Sequence, residues 1–194
     1  MTFFEHKDNV VFDLDGTLAN ADQRLHHICG ADGRKLPKPN WEWFFQDCIY
    51  DSPIQSVCAI FDNYVRKNYQ QQTDNLMIWT GRSSQVFSET IDWLQTYLCM
   101  EWTGEKNELT DLDCVQAFFN AYPRRMMRGS SSAKVELKMR QHGIKEQDHY
   151  LKQKWFCAAS PSHQPTVAFE DRSRVVQMWR DLGVICFQVA DGDF

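Results

Sequence analysis

Short, mainly apolar runs recur along the chain, and four of them have the length of a buried β-strand. They lie at residues 9–12, 76–79, 166–169 and 184–189. Continuous apolar strands are typical of a parallel sheet that is covered on both faces. The hydrophobic pattern therefore predicts that these four strands share one mostly parallel sheet.

Between these runs, apolar residues recur at the three- and four-residue spacing of an amphipathic helix. The spacing predicts helices near residues 54–65, 87–98 and 175–182, and Gly183 is a natural stop for the last of them. Strands that alternate with helices favour a doubly wound α/β fold, with helices on both faces of the sheet. A length of 194 residues fits a single domain over residues 1–194.

Three stretches interrupt the alternation of strands and helices. Residues 19–50 are rich in Pro, Gly and aromatic side chains, and we interpret them as a small lid. We interpret residues 100–132 as a segment that contacts the substrate and residues 145–165 as a surface loop. Trp41 and Trp43 are expected to pack inside the lid, and the alternative is that they stack on a base.

The composition limits the class of protein. The net charge of −5 argues against a protein that only coats nucleic acid, because such proteins are usually basic. No apolar run has the length of a transmembrane helix, and the N-terminal residues lack the pattern of a signal peptide. The seven cysteines include no C-x-x-C pair, so we expect free thiols and a cytoplasmic location.

Polar and acidic residues follow three of the four predicted strands. Asp13 and Asp15 follow the first strand, Thr80 the second, and Glu170 and Asp171 the third. The carboxyl ends of parallel strands meet at one edge of the sheet, so these side chains should converge on one crevice. Crowded carboxylates repel one another, and a divalent cation such as Mg²⁺ relieves the repulsion. The alternative is that each acid caps a separate helix or turn.

Three motifs in this order resemble the haloacid dehalogenase superfamily of phosphotransferases. They are Asp-Leu-Asp-Gly-Thr at residues 13–17, Trp-Thr-Gly-Arg at residues 79–82, and Glu-Asp at residues 170–171. Residues 169–194 are also similar to the end of the phosphatase domain of phage polynucleotide kinase 3′-phosphatase. Arg24, eleven residues after Asp13, falls where that domain has an active-site arginine.

The resemblance implies a role for each residue at the strand ends. Asp13 would be the nucleophile that forms an aspartyl-phosphate, and it would also bind Mg²⁺. Asp15 would act as general acid and base and would reach the metal through its backbone carbonyl. Thr80 would bind phosphoryl oxygens, and Asp171 and Glu170 would complete the metal site. Glu170 departs from the aspartate of the family but keeps the negative charge.

Several basic residues are candidates for binding the substrate. The resemblance points to Arg24 and Arg82, and it implies that the backbone N–H groups near Thr80, with Gly81, bind phosphoryl oxygens. Arg128 belongs to a basic segment at residues 124–128 that is expected to grip a flanking phosphate. The alternative for that segment is a solvated basic edge.

The family also uses a lysine between its second and fourth motifs. We choose Lys134, at the start of a predicted helical stretch over residues 133–137. An aspartate that the resemblance leads us to expect near Ser130 is missing. Three further lysines are weaker candidates for this role and are expected to be solvated surface residues: Lys138, Lys152 and Lys154.

The sequence thus predicts a Mg²⁺-dependent phosphatase that removes a 3′-phosphate from nucleic acid ends. One alternative is a nucleotidase that acts on 3′- or 5′-mononucleotides, with the same chemistry and a different pocket. A second alternative is a non-catalytic module that binds phosphorylated ends or a protein. The chain has no G-x-x-x-x-G-K-[ST] loop, so we expect no kinase domain in it. If the protein is phage-encoded, it would act in the host cytoplasm.

Overall fold

The computed structural model describes residues 8–71, 75–124 and 132–191, and seven of its strands form one sheet. The strands are β1 (Asn9–Phe12), β2 (Ala19–Asn20), β3 (Ser52–Pro53), β4 (Asn75–Ser83), β5 (Met100–Leu109), β6 (Cys114–Ala121), β7 (Ala133–Arg140), β8 (Val167–Glu170) and β9 (Ile185–Gln188). The helices are α1 (Trp41–Gln46), α2 (Gln55–Gln71), α3 (Phe87–Leu98), α4 (Asp148–Ala158) and α5 (Ser173–Asp181).

The order of strands in the sheet is β5-β6-β7-β4-β1-β8-β9. From β7 to β9 all neighbouring strands are parallel, whereas β5 and β6 form an antiparallel hairpin that extends the sheet beyond β7. Parallel strands need crossover connections, and the helices between them supply these. The predicted doubly wound, mostly parallel α/β fold is confirmed.

Successive residues of the central strands bury their side chains on opposite faces of the sheet. On β1, Val10 and Phe12 belong to the core under α2 and α3, whereas Val11 belongs to the core under α4 and α5. Phe12 is fully buried and stacks on Phe169 of β8, with 4.5 Å between ring centroids. Because both faces are covered, the central strands contain continuous apolar runs, as the sequence indicated. Among the described helices, none is long and apolar enough to cross a bilayer.

Two predictions of secondary structure are wrong. Residues 133–137 are not helical but begin strand β7, which pairs with β4 and β6. Its apolar residues alternate with polar ones and face the core, and this two-residue period outweighs the helix propensity of Ala, Leu and Lys. Residues 145–165 are not one surface loop, because they contain helix α4. Leu151 and Trp155 bury one face of this helix against the sheet.

The predicted lid lies between β1 and α2. Strands β2 and β3 pair antiparallel, so the two ends of this insertion lie side by side. The segment between them contains α1 and has a small core of its own, formed by Ile28, Cys29 and Phe44. Trp41 is 40% exposed and Trp43 is 58% exposed, so the expectation that both are buried in the lid is wrong.

Candidate active site

The loop after β1 passes close to the end of β8. The amide of Asp13 donates a hydrogen bond of 2.9 Å to the carbonyl of Phe169, which joins the two strand ends. Gly16 has a φ of +83°, and a Cβ atom there would lie 2.1 Å from a carboxylate oxygen of Asp171. Only glycine fits both conditions, so Gly16 allows the loop to run against Asp171.

Four carboxylates and one ammonium group form what we call the acidic cluster, namely Asp13, Asp148, Lys152, Glu170 and Asp171. Lys152 Nζ lies 2.6 Å from Asp13 Oδ1, 2.7 Å from Glu170 Oε2 and 3.3 Å from Asp148 Oδ2. The Lys152 side chain is fully buried. A single buried lysine thus faces three buried carboxylates.

Negative charge exceeds positive charge in the acidic cluster, and the pKa values reflect this. Burial, reinforced by the neighbouring carboxylates, raises the pKa of Asp13 well above its usual value, although Lys152 opposes the shift. Burial likewise raises the pKa of Glu170 to about 7 and that of Asp171 to about 7. Burial lowers the pKa of Lys152, but the surrounding carboxylates outweigh this and raise it.

Three members of the acidic cluster fit a divalent metal ion. Asp13, Glu170 and Asp171 each offer one oxygen, and these atoms lie within 4.8 Å of one another. In the described part of the chain, Oδ1 of Asp171 is buried without a hydrogen-bond partner, so it has a free lone pair for a ligand. Hard oxygen donors with an excess of negative charge suit Mg²⁺. The side chain of Asp15 lies elsewhere, in a second group of charged residues.

That second group, which we call the arginine cluster, contains Asp15, Arg24, Asp51 and Arg82. Arg24 Nη2 donates to Asp15 Oδ1 at 2.6 Å, and Arg82 Nε donates to the same oxygen at 2.7 Å. Asp51 Oδ2 accepts from Arg24 Nη2 at 2.8 Å and from Arg82 Nη2 at 2.9 Å. All four residues are buried, and their charges balance.

The arginine cluster holds Asp15 as a carboxylate and keeps one donor unused. Burial alone would raise the pKa of Asp15, but Arg24 and Arg82 outweigh it and hold that pKa well below its usual range. Among the described residues, Nη1 of Arg82 is buried and has no hydrogen-bond partner. Buried arginine N–H groups are almost always paired, so this donor is free for a ligand.

The arginine cluster also connects the lid to the body of the protein. Arg24 Nη1 donates to the carbonyl of Phe44 in α1 at 3.0 Å. Trp93 Nε1 of α3 donates to the carbonyl of Asp51 at 2.8 Å. Asp51 was not singled out from the sequence, because it lies in a stretch that offered no motif.

The second motif lies beside both clusters. Thr80 is fully buried, and its Oγ1 accepts a hydrogen bond of 3.1 Å from the amide of Arg82. A Cβ atom on Gly81 would lie 2.7 Å from Asp148 Oδ1, and the carbonyl of Gly81 accepts from Arg140 Nε at 3.0 Å. Residues 80–82 thus join the end of β4 to the end of β7 and to α4.

The choice of Lys134 as the active-site lysine does not fit the structure. Lys134 is exposed at the amino end of β7, at the opposite edge of the sheet from Asp13. Lys152, which was expected to be solvated, contacts Asp13 instead. Asp148, one helical turn before Lys152, is the acidic partner that was sought near Ser130. The acid–lysine pair four residues apart was the available signal in the sequence.

A cleft of about 1020 Å³ opens over the two clusters. One wall is the lid, with Lys35 and α1, and the other wall contains residues 81–89 and 140–145. Asp13, Asp15, Asp148 and Arg172 line it as well. Arg128 lies outside the described residues, so its predicted role stays a prediction.

Comparisons with known proteins match part of the chain to a family and the whole fold to two solved chains. Residues 111–194 match the family model of the polynucleotide kinase PNKP phosphatase domain. The fold matches a chain of the Pnkp1/Rnl/Hen1 complex with a TM-score of 0.59 and 20% identity, covering 99% of this chain and 49% of that one. A chain of the Pnkp1/Rnl/Hen1 RNA repair complex matches with a TM-score of 0.57 and 21% identity, covering 100% and 46%.

The chain spans about half the length of these two solved chains, and at this identity they show the fold alone. The family model covers the part of the chain that contains Asp148, Lys152, Glu170 and Asp171. The resemblance seen in the sequence is confirmed: residues 111–194 match the phosphatase-domain family of polynucleotide kinase PNKP.

Proposed function

We propose that this chain is a phosphatase that acts through an aspartyl-phosphate on Asp13 and removes 3′-phosphate groups from nucleic acid ends. One observation carries the proposal. Asp13 and Asp15 line the same cleft, and Asp15 is hydrogen-bonded to Arg82, whose Nη1 is buried without a partner among the described residues. A carboxylate nucleophile and an oxyanion donor at one cleft are the two groups that phosphoryl transfer to an aspartate needs.

Lys152 prepares Asp13 for attack. Burial favours the protonated form of Asp13, which is not a nucleophile, whereas the ammonium group 2.6 Å away favours the carboxylate. Oδ1 of Asp13 accepts from Lys152, so Oδ2 is the oxygen that attacks phosphorus. The bond between phosphorus and the ester oxygen then breaks, and the leaving oxygen takes up a proton.

Asp15 is the group that supplies this proton in our proposal. In the structure its carboxylate is bound by Arg24 and Arg82, which disfavours the protonated form. An incoming phosphate would compete for these guanidinium donors and so raise the pKa of Asp15 towards a value useful for acid catalysis. After transfer, Asp15 as a base would accept a proton from the water that hydrolyses the aspartyl-phosphate.

The carboxylates of Asp13, Glu170 and Asp171 would hold the metal ion. When bound, Mg²⁺ would neutralise charge on the phosphoryl oxygens. It would also offset the repulsion between carboxylates that, together with the larger effect of burial, raises the pKa values of Glu170 and Asp171. Thr80 and Gly81 remain proposed phosphate-binding residues, since they lie beside Arg82 at the end of β4.

The choice of a nucleic acid end rests on three points. Residues 111–194 match a polynucleotide kinase phosphatase domain, and the same fold occurs in chains of a complex described as an RNA repair complex. The cleft has about the largest volume found for pockets that bury a small ligand, so one phosphate group would fill little of it. Lysine side chains stand on both of its walls, at Lys35 and Lys145.

Comparative hydrolysis tests the proposal. The protein is incubated with a 3′-phosphorylated oligonucleotide, with 3′- and 5′-mononucleotides and with p-nitrophenyl phosphate, each with Mg²⁺ or with EDTA. We expect Mg²⁺-dependent release of phosphate, with the highest kcat/KM for the oligonucleotide. Preference for a 5′-mononucleotide would indicate a nucleotidase, and no turnover of any ester would indicate a binding module.

Trapping the intermediate tests the chemistry separately from the substrate. A short reaction with a ³²P-labelled 3′-phosphate is quenched in acid, and the digested protein is analysed for label. We expect the label on the peptide that contains Asp13, in an acid-stable and hydroxylamine-sensitive form. Label on no peptide, with turnover intact, would indicate direct attack by water.

A further inference from the structure

The cleft continues from the catalytic groups along the lid. Its lid wall contains Trp41 and Phe45, two aromatic residues that are not fully buried although they lie in the helix next to the small lid core. Trp41 is 40% exposed, and its ring lies at 6.1 Å from that of Phe45. The exposed part of the ring lies on the wall of the cleft, where it is accessible to a ligand.

A positive charge accompanies the indole ring. Lys35 Nζ lies over the ring of Trp41, 5.0 Å from its centroid, and both side chains line the cleft. An aromatic ring beside a cation is the combination with which grooves hold single-stranded nucleic acid, because the ring stacks on a base and the cation meets the backbone. Glu42 also lines this wall and would repel a phosphate placed next to it.

The facing wall offers a second place for the backbone of a strand. It contains His142 and Lys145, which are exposed, together with Glu89. Arg140 on this wall is engaged by the carbonyls of Gly81 and Glu146, so its guanidinium shapes the wall. Lys145 is therefore the cation of this wall with most freedom to follow a phosphodiester.

Trp43 provides an internal comparison. It lies in the same helix and is more exposed than Trp41, at 58%, but it does not line the cleft. Its ring meets the edge of His27 instead. The helix thus presents one tryptophan to the cleft and one away from it, and only the first has a lysine over its ring among the described contacts.

We propose that Trp41 and Lys35 form a subsite for a nucleotide upstream of the terminal phosphate, so that the enzyme favours single-stranded ends longer than one nucleotide. This inference rests on the proposed phosphatase function and names the residues that select its substrate. A base of the strand stacks on Trp41, and the adjoining phosphodiester meets Lys35. A mononucleotide with its phosphate at Asp13 leaves this subsite empty.

A length series with matched variants tests the subsite. The kcat/KM is measured for 3′-phosphorylated mono-, di- and tetranucleotides and divided by that for p-nitrophenyl phosphate in the same preparation. We expect this ratio to rise from the mononucleotide to the tetranucleotide, and Trp41→Ala to lower the tetranucleotide ratio about tenfold. Trp43→Ala is the control and should leave the ratio unchanged.

Lys35→Ala removes the cation and leaves the aromatic contacts of the lid in place. We expect it to reduce the slope of log KM against log salt concentration by about 0.7, the value for one phosphate of a single strand. Lys38→Ala, a nearby exposed lysine that does not line the cleft, should not change the slope. These measurements require only that the lid core folds as in the wild type. Lys35 is not part of that core.

The possible outcomes separate the subsite from the phosphatase function. If the normalised kcat/KM of the unmodified protein were the same for the mononucleotide and the tetranucleotide, the subsite would be overturned. The same would follow if Trp41→Ala and Trp43→Ala lowered the tetranucleotide ratio equally. In both cases turnover of p-nitrophenyl phosphate would show that the phosphatase function stands. Absence of turnover on every substrate would overturn the phosphatase function and the subsite with it.

Discussion

The two charged clusters of the site are built from the same kinds of group but in different proportions. In the acidic cluster one buried lysine faces three carboxylates, and Asp171 adds a fourth. In the arginine cluster two guanidinium groups face two carboxylates. Burial raises the pKa of Asp13, whereas Asp15, two residues further on, has a lowered pKa because of Arg24 and Arg82.

This difference indicates which ligand each cluster takes. A buried group with excess negative charge is stabilised by a cation, and one with a balanced charge and an unused N–H donor is stabilised by an anion. The acidic cluster therefore suits the metal and the arginine cluster suits the phosphate. The proposed nucleophile Asp13 lies in the first and the proposed acid–base residue Asp15 in the second, so the short loop of residues 13–15 joins the two.

Removing the nucleophile should have the largest effect. Asp13→Asn keeps the shape of the side chain and removes the attacking carboxylate, so we expect kcat to fall on the order of 10⁴-fold. The measurement is steady-state release of phosphate from a 3′-phosphorylated oligonucleotide. Asp181→Asn, at an exposed position of α5, serves as the control and should retain wild-type kcat. Near-normal turnover by Asp13→Asn would contradict the assignment of the nucleophile.

The second-largest effect is expected when the acidic cluster loses its lysine. Lys152→Met leaves Asp13 and Glu170 buried without their ammonium partner, so we expect the free energy of unfolding to fall by about 3–5 kcal/mol. Lys134→Met is the matched control, because Lys134 is exposed on β7, and it should change stability by less than about 0.5 kcal/mol. Urea unfolding of the metal-free proteins measures both. Similar losses for the two variants would contradict the central position of Lys152.

The arginine cluster is tested by a change that keeps its charge. Arg82→Lys replaces the planar guanidinium, whose separate nitrogens reach Asp15 and Asp51, with a single ammonium nitrogen, so we expect kcat/KM to fall about 10²-fold. The Mg²⁺ concentration for half-maximal activity should stay the same, because the acidic cluster is untouched. Arg34→Lys, at an exposed position of the lid, is the control. A parallel loss of Mg²⁺ affinity would show that the two clusters are not separable.

The smallest expected effect concerns pH and the metal-free protein. Glu170 and Asp171 have pKa values of about 7 when folded, above those of unfolded carboxylates, so the folded state binds more protons between about pH 4 and pH 7. Stability should therefore fall as pH rises through that window and then level off. Mg²⁺ should raise Tm more at pH 7.5 than at pH 5.5, because binding requires the deprotonated carboxylates.

Thermal unfolding with EDTA and with Mg²⁺ across this pH range checks the prediction. Asp171→Asn removes one of the two raised pKa values, so its metal-free Tm should depend less on pH. If the Tm of the metal-free protein rose from pH 5.5 to pH 7.5, this would contradict the excess of negative charge in the acidic cluster. In the arginine cluster Asp15 stays ionised throughout this window, because Arg24 and Arg82 hold its pKa well below the usual range.

The strands that carry motifs could be predicted because each is an apolar run followed by a polar residue. This placed Asp13, Asp15, Glu170 and Asp171 at one edge of the sheet. Lys152 could not be found in this way, since its helix buries a lysine where the pattern expects an apolar residue. Its burial depends on Asp13, 139 residues away in the chain, which only the folded structure brings within 2.6 Å.

The sequence by itself determined the fold class and the edge of the sheet where Asp13, Glu170 and Asp171 meet, and it suggested the chemistry that we propose at Asp13. Local periodicity and the order of motifs depend on the sequence alone, so they can be recognised without knowledge of the fold. The tertiary structure decided which lysine meets Asp13, that Asp51 holds both arginines, and that Trp41 rather than Trp43 faces the cleft. These are contacts between distant segments, and burial and charge pairing in the folded chain select them.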